Sequence, residues 1–252
     1  MGHNRSTQRH PGKVVSIEEG KLRCRLREIA AEYIRWGRRM AYRLLSREGW
    51  TVNHKRVQRL WREEGLQRPP PRKRMRARPF DGSVRRHRAE YLHQVWAMDF
   101  QFDATADGRR LKFLNVIDEH SRLSLAIRVG RHCKAKDVVT VLEGLTSLYP
   151  GPAYIRSDNG PELIAQVLRD WCEASTTPRT AYIEPGSQWE NGLAESFNGR
   201  FRDDFLNTKL LTTDPEAQLL GDRWRWEYNT FRPHSALQGR TPLEAAQPGA
   251  AA

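Results

Sequence analysis

The sequence predicts a mixed α/β domain with helices packed against its sheet, preceded by a small all-helical domain. Three observations carry that expectation. The first 90 residues hold 25 Lys and Arg against 9 Asp and Glu, whereas the rest of the 252-residue chain holds 18 against 21, so the excess positive charge is confined to the front. Within that front, apolar residues recur at three- and four-residue steps, the spacing of helices. Behind residue 91 come three β-rich runs, then strand-like and helix-like segments in alternation, the pattern of a sheet covered by helices.

A chain of 252 residues is long enough to bury one sizeable core and a smaller companion. Its apolar runs fall far short of the ~20 residues of a membrane-spanning helix. Met1 to Lys13 is polar and basic, without the apolar stretch of a secretory signal. A cytoplasmic protein without membrane attachment is expected. Cys24, Cys133 and Cys172 are odd in number and far apart, which argues for reduced, packed thiols and against a disulfide framework or a Cys-x-x-Cys site. Together with His120 and His132 they match no standard zinc spacing.

Residues 1–20 read as a basic tail and 21–66 as a three-helix domain. Lys21 to Tyr33 sets Leu22, Leu26 and Ile29 on one face. Arg38 to Arg47 does the same with Met40, Leu44 and Leu45, and Gly49 lets the chain leave the helix. Asn53 then caps a helix from His54 to Glu64 that stops at Gly65. Val57, Leu60 and Trp61 form its buried stripe, leaving Lys55, Gln58, Arg59 and Arg62 on the solvent side. Two short helices across a tight turn, the second with a basic and amide face, form a helix-turn-helix whose last helix fits the major groove of DNA. The plainer alternative is a charged surface helix. The charge of the whole front favours DNA, because each phosphate neutralised releases counterions. Residues 67–90, with Pro69-Pro70-Pro71 and five cations between Arg72 and Arg78, read as an extended linker lying along a DNA backbone, or as a passive hinge.

Residues 91–210 form the expected α/β core. Val95 to Phe100, Leu111 to Asp118 and Arg122 to Val129 are three consecutive antiparallel strands, with turns at Gly108 and at Glu119-His120-Ser121. A helix from Asp137 to Leu148 leads to a strand at Tyr154 to Ser157 that ends at Asp158. A helix from Pro161 to Ala174, a strand from Thr180 to Ile183 and a helix from about Trp189 to Leu206 follow. Residues 211–252 are a helical extension and a weakly ordered tail. Trp96 belongs to the sheet core, and no internal repeat is visible.

Asp99 thus falls in the first strand, Asp158 at the end of a later one, and Glu195 inside a helix. Three carboxylates brought together make a hard oxygen cluster suited to two Mg²⁺ or Mn²⁺ ions, which ~3.5–4 Å apart hold the attacking and leaving oxygens of a phosphoryl displacement. Composition alone does not select these three from 30 acidic residues, most of which in any protein are solvated or paired.

Sequence blocks make the selection. Trp96-Ala97-Met98-Asp99, Ile155-Arg156-Ser157-Asp158-Asn159-Gly160-Pro161-Glu162 and Glu190-Asn191-Gly192-Leu193-Ala194-Glu195-Ser196-Phe197-Asn198-Gly199-Arg200 resemble, in order, the three signature blocks of retroviral-integrase-like DDE transposases. The 36 residues between Asp158 and Glu195 match the family's spacing and favour Glu195 over Glu190. Trp226 to Leu237 and Thr241 to Glu244 resemble the closing block of transposases from the IS-three type of bacterial insertion sequence. The resemblance covers about residues 20–245 and implies a ribonuclease-H-like, five-stranded mixed sheet with flanking helices.

It further implies metal-dependent DNA strand cleavage and strand transfer, with Asp99, Asp158 and Glu195 holding two divalent ions, Mg²⁺ or Mn²⁺, and no covalent protein intermediate. Arg202, seven residues after Glu195, is placed to bind a phosphate beside the reacting one. Asn159 and Asn191 orient substrate or metal ligands, with loop and cap roles the equal alternative. Two departures stand out: Asp204 occupies a position where many relatives have Glu, and the lead into the second helix is Tyr33-Ile34-Arg35-Trp36-Gly37-Arg38-Arg39. The implied partners are double-stranded DNA as element end and target, further copies of the chain on that DNA, and an upstream-frame partner or fusion, since such proteins are often downstream reading-frame products. A non-catalytic DNA-binding regulator of transposition is the competing expectation, but it has no use for three aligned carboxylate blocks. A ribonuclease on the same fold leaves the basic front unexplained.

Overall fold

The computed structural model describes residues 16–68, 89–157, 166–174, 179–182 and 192–247, with 179–182 as backbone. Most of the expected linker, residues 69–88, and the outer parts of both tails lie outside the described residues. The chain forms two compact units, Met1–Met75 and Arg76–Ala252.

In the first unit, α1 (Ile17–Glu32), α2 (Arg38–Arg47) and α3 (His54–Glu63) bury the expected apolar faces, with Trp36 and Ala41 added. Helix α1 begins four residues before Lys21 because the Ser16 hydroxyl caps it, accepting the Glu19 N–H at 3.2 Å. Asn53 caps α3 by accepting the Lys55 N–H at 2.9 Å. Met40 is only half-buried, since Ala41 takes the inward position on α2. Gly49 and Gly65 leave their helices at φ +87° and +67°, a region that glycine enters without steric penalty.

Ion pairs join α1 to α3. The Glu19 carboxylate is buried and accepts from Arg23 at 3.0 Å, Arg56 at 3.3 Å and Arg59 at 3.2 Å. Arg23 also donates to Glu64 at 2.7 Å and to Glu63. The Arg23 guanidinium holds the Glu19 carboxyl below the usual carboxylate range, with Arg59 adding to the effect against the opposing pull of desolvation.

The second unit is built on a five-stranded sheet of order β3-β2-β1-β4-β5, with strands β1 (Val95–Ala104), β2 (Arg110–Asp118), β3 (Ser124–Gly130), β4 (Tyr154–Ser157) and β5 (Arg179–Tyr182). The first three strands pair antiparallel as expected, and β4 pairs in parallel with β1 on one side and β5 on the other. The helices are α4 (Ala135–Leu148), α5 (Gln166–Ala174), α6 (Gly192–Phe201), α7 (Asp214–Thr230) and α8 (Pro242–Ala246). One sheet face packs Ala97, Leu111, Phe113 and Ile127 against Phe197, Phe201, Trp224 and Tyr228. The other packs Trp96, Met98, Leu114 and Val116 against Val138, Leu142, Leu168 and Cys172.

Several boundaries differ from expectation. Strand β1 runs on to Ala104, and β3 starts at Ser124 because Arg122 turns the chain at φ +67°. Helix α4 starts at Ala135, as the Asp137 carboxylate accepts the Lys134 N–H at 2.8 Å and so sits inside the first turn. The last core helix is not continuous: α6 ends at Phe201, and Arg202–Leu206 forms a π-helical turn. The expected helix and strand residues 161–165, 183 and 189–191 lie outside the described residues.

Strand β3 is a sheet edge, and α7 closes it with side chains. Asn229 accepts the Ser124 N–H and donates to the Ser124 carbonyl, both at 2.9 Å. Gln218 does the same for the Val129 N–H at 2.7 Å and the Ile127 carbonyl at 2.8 Å, and Arg225 donates to the Leu125 carbonyl at 3.1 Å. Beside the sheet centre, Arg156 of β4 donates to Glu119 at 2.5 Å, with side chains 6% and 1% exposed.

Two outcomes follow from these ion pairs. Arg156→Met leaves Glu119 charged and buried, so stability falls by about 3–5 kcal/mol; adding Glu119→Leu recovers most of it, as read by denaturant unfolding. Glu19 has a depressed carboxyl in the folded state, so its contribution is present above its unfolded value and lost as pH falls through the folded one. Helical signal of the Glu19→Gln protein, followed from neutral to acid pH, will therefore fall less steeply than that of the parent.

Candidate functional site

Strand β1 alternates two kinds of side chain. Trp96, Met98 and Phe100 join the core on the α4 face, while Asp99, Gln101 and Asp103 point to the face covered by α6 and the π-helical turn. A strand whose polar residues share one covered face needs donors and acceptors there. Asn198 provides them. Its amide nitrogen donates to Asp99 Oδ2 at 2.7 Å, its amide oxygen accepts from Asn115 of β2 at 2.7 Å, and its carbonyl accepts from Gln101 at 3.2 Å. Asp99 Oδ1 accepts the Phe100 N–H at 2.8 Å.

Glu195 lies three residues before Asn198, one helical turn away on the same side of α6, and is exposed. Its neighbours Ala194 and Phe197 are buried against the sheet, which fixes the helix that carries it. The structure thus brings Asp99 and Glu195 to one face. Asp158 lies outside the described residues, as do Asn159, Asn191 and Glu190. The chain reaches Asp158 from Ser157, the last residue of β4 and fully buried. In the parallel pairing of β1 with β4, Ala97 stands opposite Arg156, each two residues before its carboxylate in the sequence. Among the described residues no group of three or more His, Cys, Asp or Glu is placed to hold a metal ion.

Arg202 opens the π-helical turn one turn beyond Asn198. Its guanidinium donates to the Phe102 carbonyl at 2.6 Å and lies 3.7 Å from Asp103, with 43% of the side chain exposed. It therefore braces the end of β1 as well as facing solvent. Asp204, in the same turn, is paired with Arg232 of the closing block. Burial lowers the Arg232 pKa, an effect that Asp204 opposes.

On α3 the expected solvent face is only partly open. Lys55 and Arg62 are exposed and Gln58 is half-buried. Arg59 is folded onto Glu63 at 2.9 Å and Glu19 at 3.2 Å, partners on its own helix and on α1. Asn198 is the residue that the sequence reading missed as a member of the site; its one signal was its position a single turn after Glu195 in a signature block.

Known families match both units of the chain. Two Integrase core domain families match residues 91–181 and 177–242, and an HTH-like domain family matches residues 17–74. The uncharacterized 31.7 kDa protein of insertion element IS407 from Burkholderia multivorans is 35% identical over 98% of this chain and 87% of its own length. The transposase for insertion sequence element IS629 from Shigella sonnei is 27% identical over 83% of this chain and 73% of its own. Among solved structures, a chain of the simian T-cell lymphotropic virus intasome in complex with PP2A regulatory subunit B56 gamma matches with TM-score 0.55 and 16% identity, over 79% of this chain and 69% of that one, a likeness of fold. No described helix is long and apolar enough to cross a membrane.

Proposed function

The chain belongs to the insertion-element transposases that join an HTH-like domain to an integrase core, and from that premise we propose that it cuts and joins DNA strands as a DDE polynucleotidyl transferase. The observation that carries the proposal is the side-by-side arrangement of β1 and β4 with α6 clasped over Asp99 by Asn198. In this reading Asp99, Asp158 and Glu195 form one metal-binding unit. Residues 21–66 read DNA, 67–90 link, 91–210 carry the chemistry and 211–252 complete the core.

The donor set fits hard divalent cations. Asp99 keeps both oxygens oriented by donors, and Glu195 presents its carboxylate to solvent one turn from that contact. Two Mg²⁺ or Mn²⁺ ions held there would supply a water of lowered pKa and stabilise charge on the attacking and leaving oxygens. The chain's own groups do the rest. Asn198 fixes the orientation of Asp99, and the exposed part of the Arg202 guanidinium holds a neighbouring phosphate. Asn159 and Asn191 orient the reacting strand or the carboxylates. Lys55, Gln58, Arg59 and Arg62 meet the duplex, Arg59 by exchanging a carboxylate for a phosphate. The assembly acts as several copies on DNA, alone or together with an upstream-frame partner or fusion.

Replacing Lys55, Arg59 and Arg62 by Ala should weaken duplex binding and flatten the slope of log affinity against log salt by about 0.9 for every phosphate that is no longer neutralised. An unchanged slope in the folded triple variant removes α3 from the DNA interface. For catalysis, Asp99→Asn, Asp158→Asn and Glu195→Gln each keep side-chain shape while removing a charge and a metal-binding oxygen. Each should bring strand cleavage and joining in Mg²⁺ or Mn²⁺ to background with duplex binding near normal, and a double variant should be little worse than a single one. Glu190→Gln should stay active. The reverse pattern for Glu190 and Glu195 moves the third carboxylate, and full activity in all variants refutes the catalytic reading.

A further inference from the structure

On the sheet face opposite Asp99, at the end where β1 leaves and β2 enters, a cavity of about 780 Å³ is lined by Arg109, Arg110, Lys112, Arg131 and Lys134 together with Phe102 and the His132-Cys133 pair. The turn between β1 and β2 gives Arg109, β2 gives Arg110 and Lys112, and the segment between β3 and α4 gives the last two. Among the described residues, no carboxylate belongs to the lining. Asp107 and Asp214 reach Arg109 at 3.2 Å and Arg131 at 3.6 Å from outside it.

The floor is built around a buried cation. Lys112 is 7% exposed, donates to the Cys133 carbonyl at 3.3 Å, and holds its ammonium 3.7 Å from the Phe100 ring centre and 5.6 Å from that of Phe102. Arg110 lies 5.6 Å from the Phe102 ring, which is 48% exposed. Aromatic faces stabilise cations locally. With Asp107 and Asp214 offsetting part of the charge of Arg109 and Arg131, they still do not cancel the repulsion that remains around the cavity, which an anion in it would relieve. The core beyond residue 90 carries more acidic than basic residues, so this concentration is local and is not a share of a general excess.

We infer that this cavity is a further DNA-backbone site of the core, on the sheet face opposite Asp99. The inference rests on the reading that the core works on DNA. Its geometry adds the separation. Phe102 is three residues along β1 from Asp99, about 10 Å at ~3.4 Å per residue, and its side chain lies on the other pleat, opposite Lys112 in the β1–β2 register. Cations from three segments, with Arg109, Arg110 and Lys134 at the exposed rim, suit a run of phosphates better than one compact anion. Duplex DNA offers a charge every ~1.7 Å of its axis.

The test is a salt titration of full-chain binding to a labelled duplex of mixed sequence in metal-free buffer. Arg110→Ala with Lys134→Ala, both exposed, should flatten the log–log slope by about 1.8, or 0.9 per phosphate. Lys209→Ala with Arg223→Ala, equal in charge change and outside the cavity, should leave the slope unaltered. Equal slopes in the two double variants overturn the inference. A nucleoside triphosphate that saturates the parent but not the cavity variant, with the duplex slope unchanged, makes the occupant a free polyanion and also overturns it. Thermal midpoints check folding, and Arg110→Gln with Lys134→Gln serves if the alanine pair does not fold. Binding without metal is independent of cleavage, so inactivity of the parent leaves this result untouched, and equal slopes leave cleavage by the parent untouched.

Discussion

A strand with core residues on one face and carboxylates on the other has to find hydrogen-bond donors for the second face, and the arrangement of the proposed carboxylate site depends on how β1 finds them. Apolar packing of Ala194, Phe197 and Phe201 brings α6 to the sheet but leaves room to slide by a fraction of a turn. The contacts of Asn198 with Asp99, Asn115 and Gln101 remove that freedom. The two neutral bonds are each worth about 0.5–1.5 kcal/mol net and the one to the Asp99 carboxylate about 1.5–3 kcal/mol, and leaving these donors covered and unpaired would cost more. The register that pairs them is therefore selected, even though Gln101 Oε1 and Asn115 Oδ1 stay without a partner among the described residues. Glu195 and Arg202 are then positioned as a consequence, one turn to either side.

The C-terminal block completes this unit in a different way. An edge strand exposes a row of unpaired N–H and C=O groups that invites pairing with another chain. Helix α7 answers with Gln218, Arg225 and Asn229, spaced seven and four residues apart on one face, so that side-chain amides take the place of a sixth strand. The same segment delivers Arg232 to Asp204 and buries Tyr228, whose hydroxyl pKa is pushed up to about 12 by desolvation. Asp204 sits in the π-helical turn that follows α6. Helix α7 and the closing block that begins within it therefore fix both the free edge of the sheet and the end of the helix that carries Glu195. A π-helical turn is a costly local geometry that recurs at functional sites, and here it is held by a side-chain pair of low exposure.

The strand order at the front of the core was legible because β-rich runs separated by turn residues leave few alternatives, and a strand at Tyr154–Ser157 in a mixed sheet was expected, its parallel pairing with β1 being what the structure adds. The boundaries were less so. Ser16 extends α1 through a cap that apolar periodicity does not register, and Arg122 shortens β3 through a left-handed backbone that no glycine marks. The break of the last core helix at Phe201 left no sign in composition, since a shift in backbone hydrogen-bond register needs no special residue. Carboxylate selection came from the blocks and not from charge. Asn198 escaped attention because a lone Asn on a helix has no partner visible in sequence, and its partners are 99 and 83 residues away.

Charge shows the same divide between what a count reveals and what pairing decides. The front carries a large positive excess, which favours a polyanionic partner but does not mark the face that would meet it. Between α1 and α3, Glu19, Glu63 and Glu64 engage Arg23, Arg56 and Arg59, and on the other side of α1 Glu48 engages Arg25. Those guanidiniums hold the helices together and add little to the outward field. The outward field comes instead from exposed cations such as Lys55 and Arg62. Arg59 stands between the two groups, with 38% of its side chain exposed and its pairs open to solvent screening. Pairs of that kind are worth ~0–1 kcal/mol, so a phosphate competes with Glu63 for Arg59 at small penalty, whereas Arg23, tied to three carboxylates, stays in the framework. Exposure of the pairs, and not the number of carboxylates alone, thus sets which arginines the proposed DNA contact can recruit: Arg59 faces two carboxylates and Arg56 one, and both side chains are 38% exposed, against 18% for Arg23.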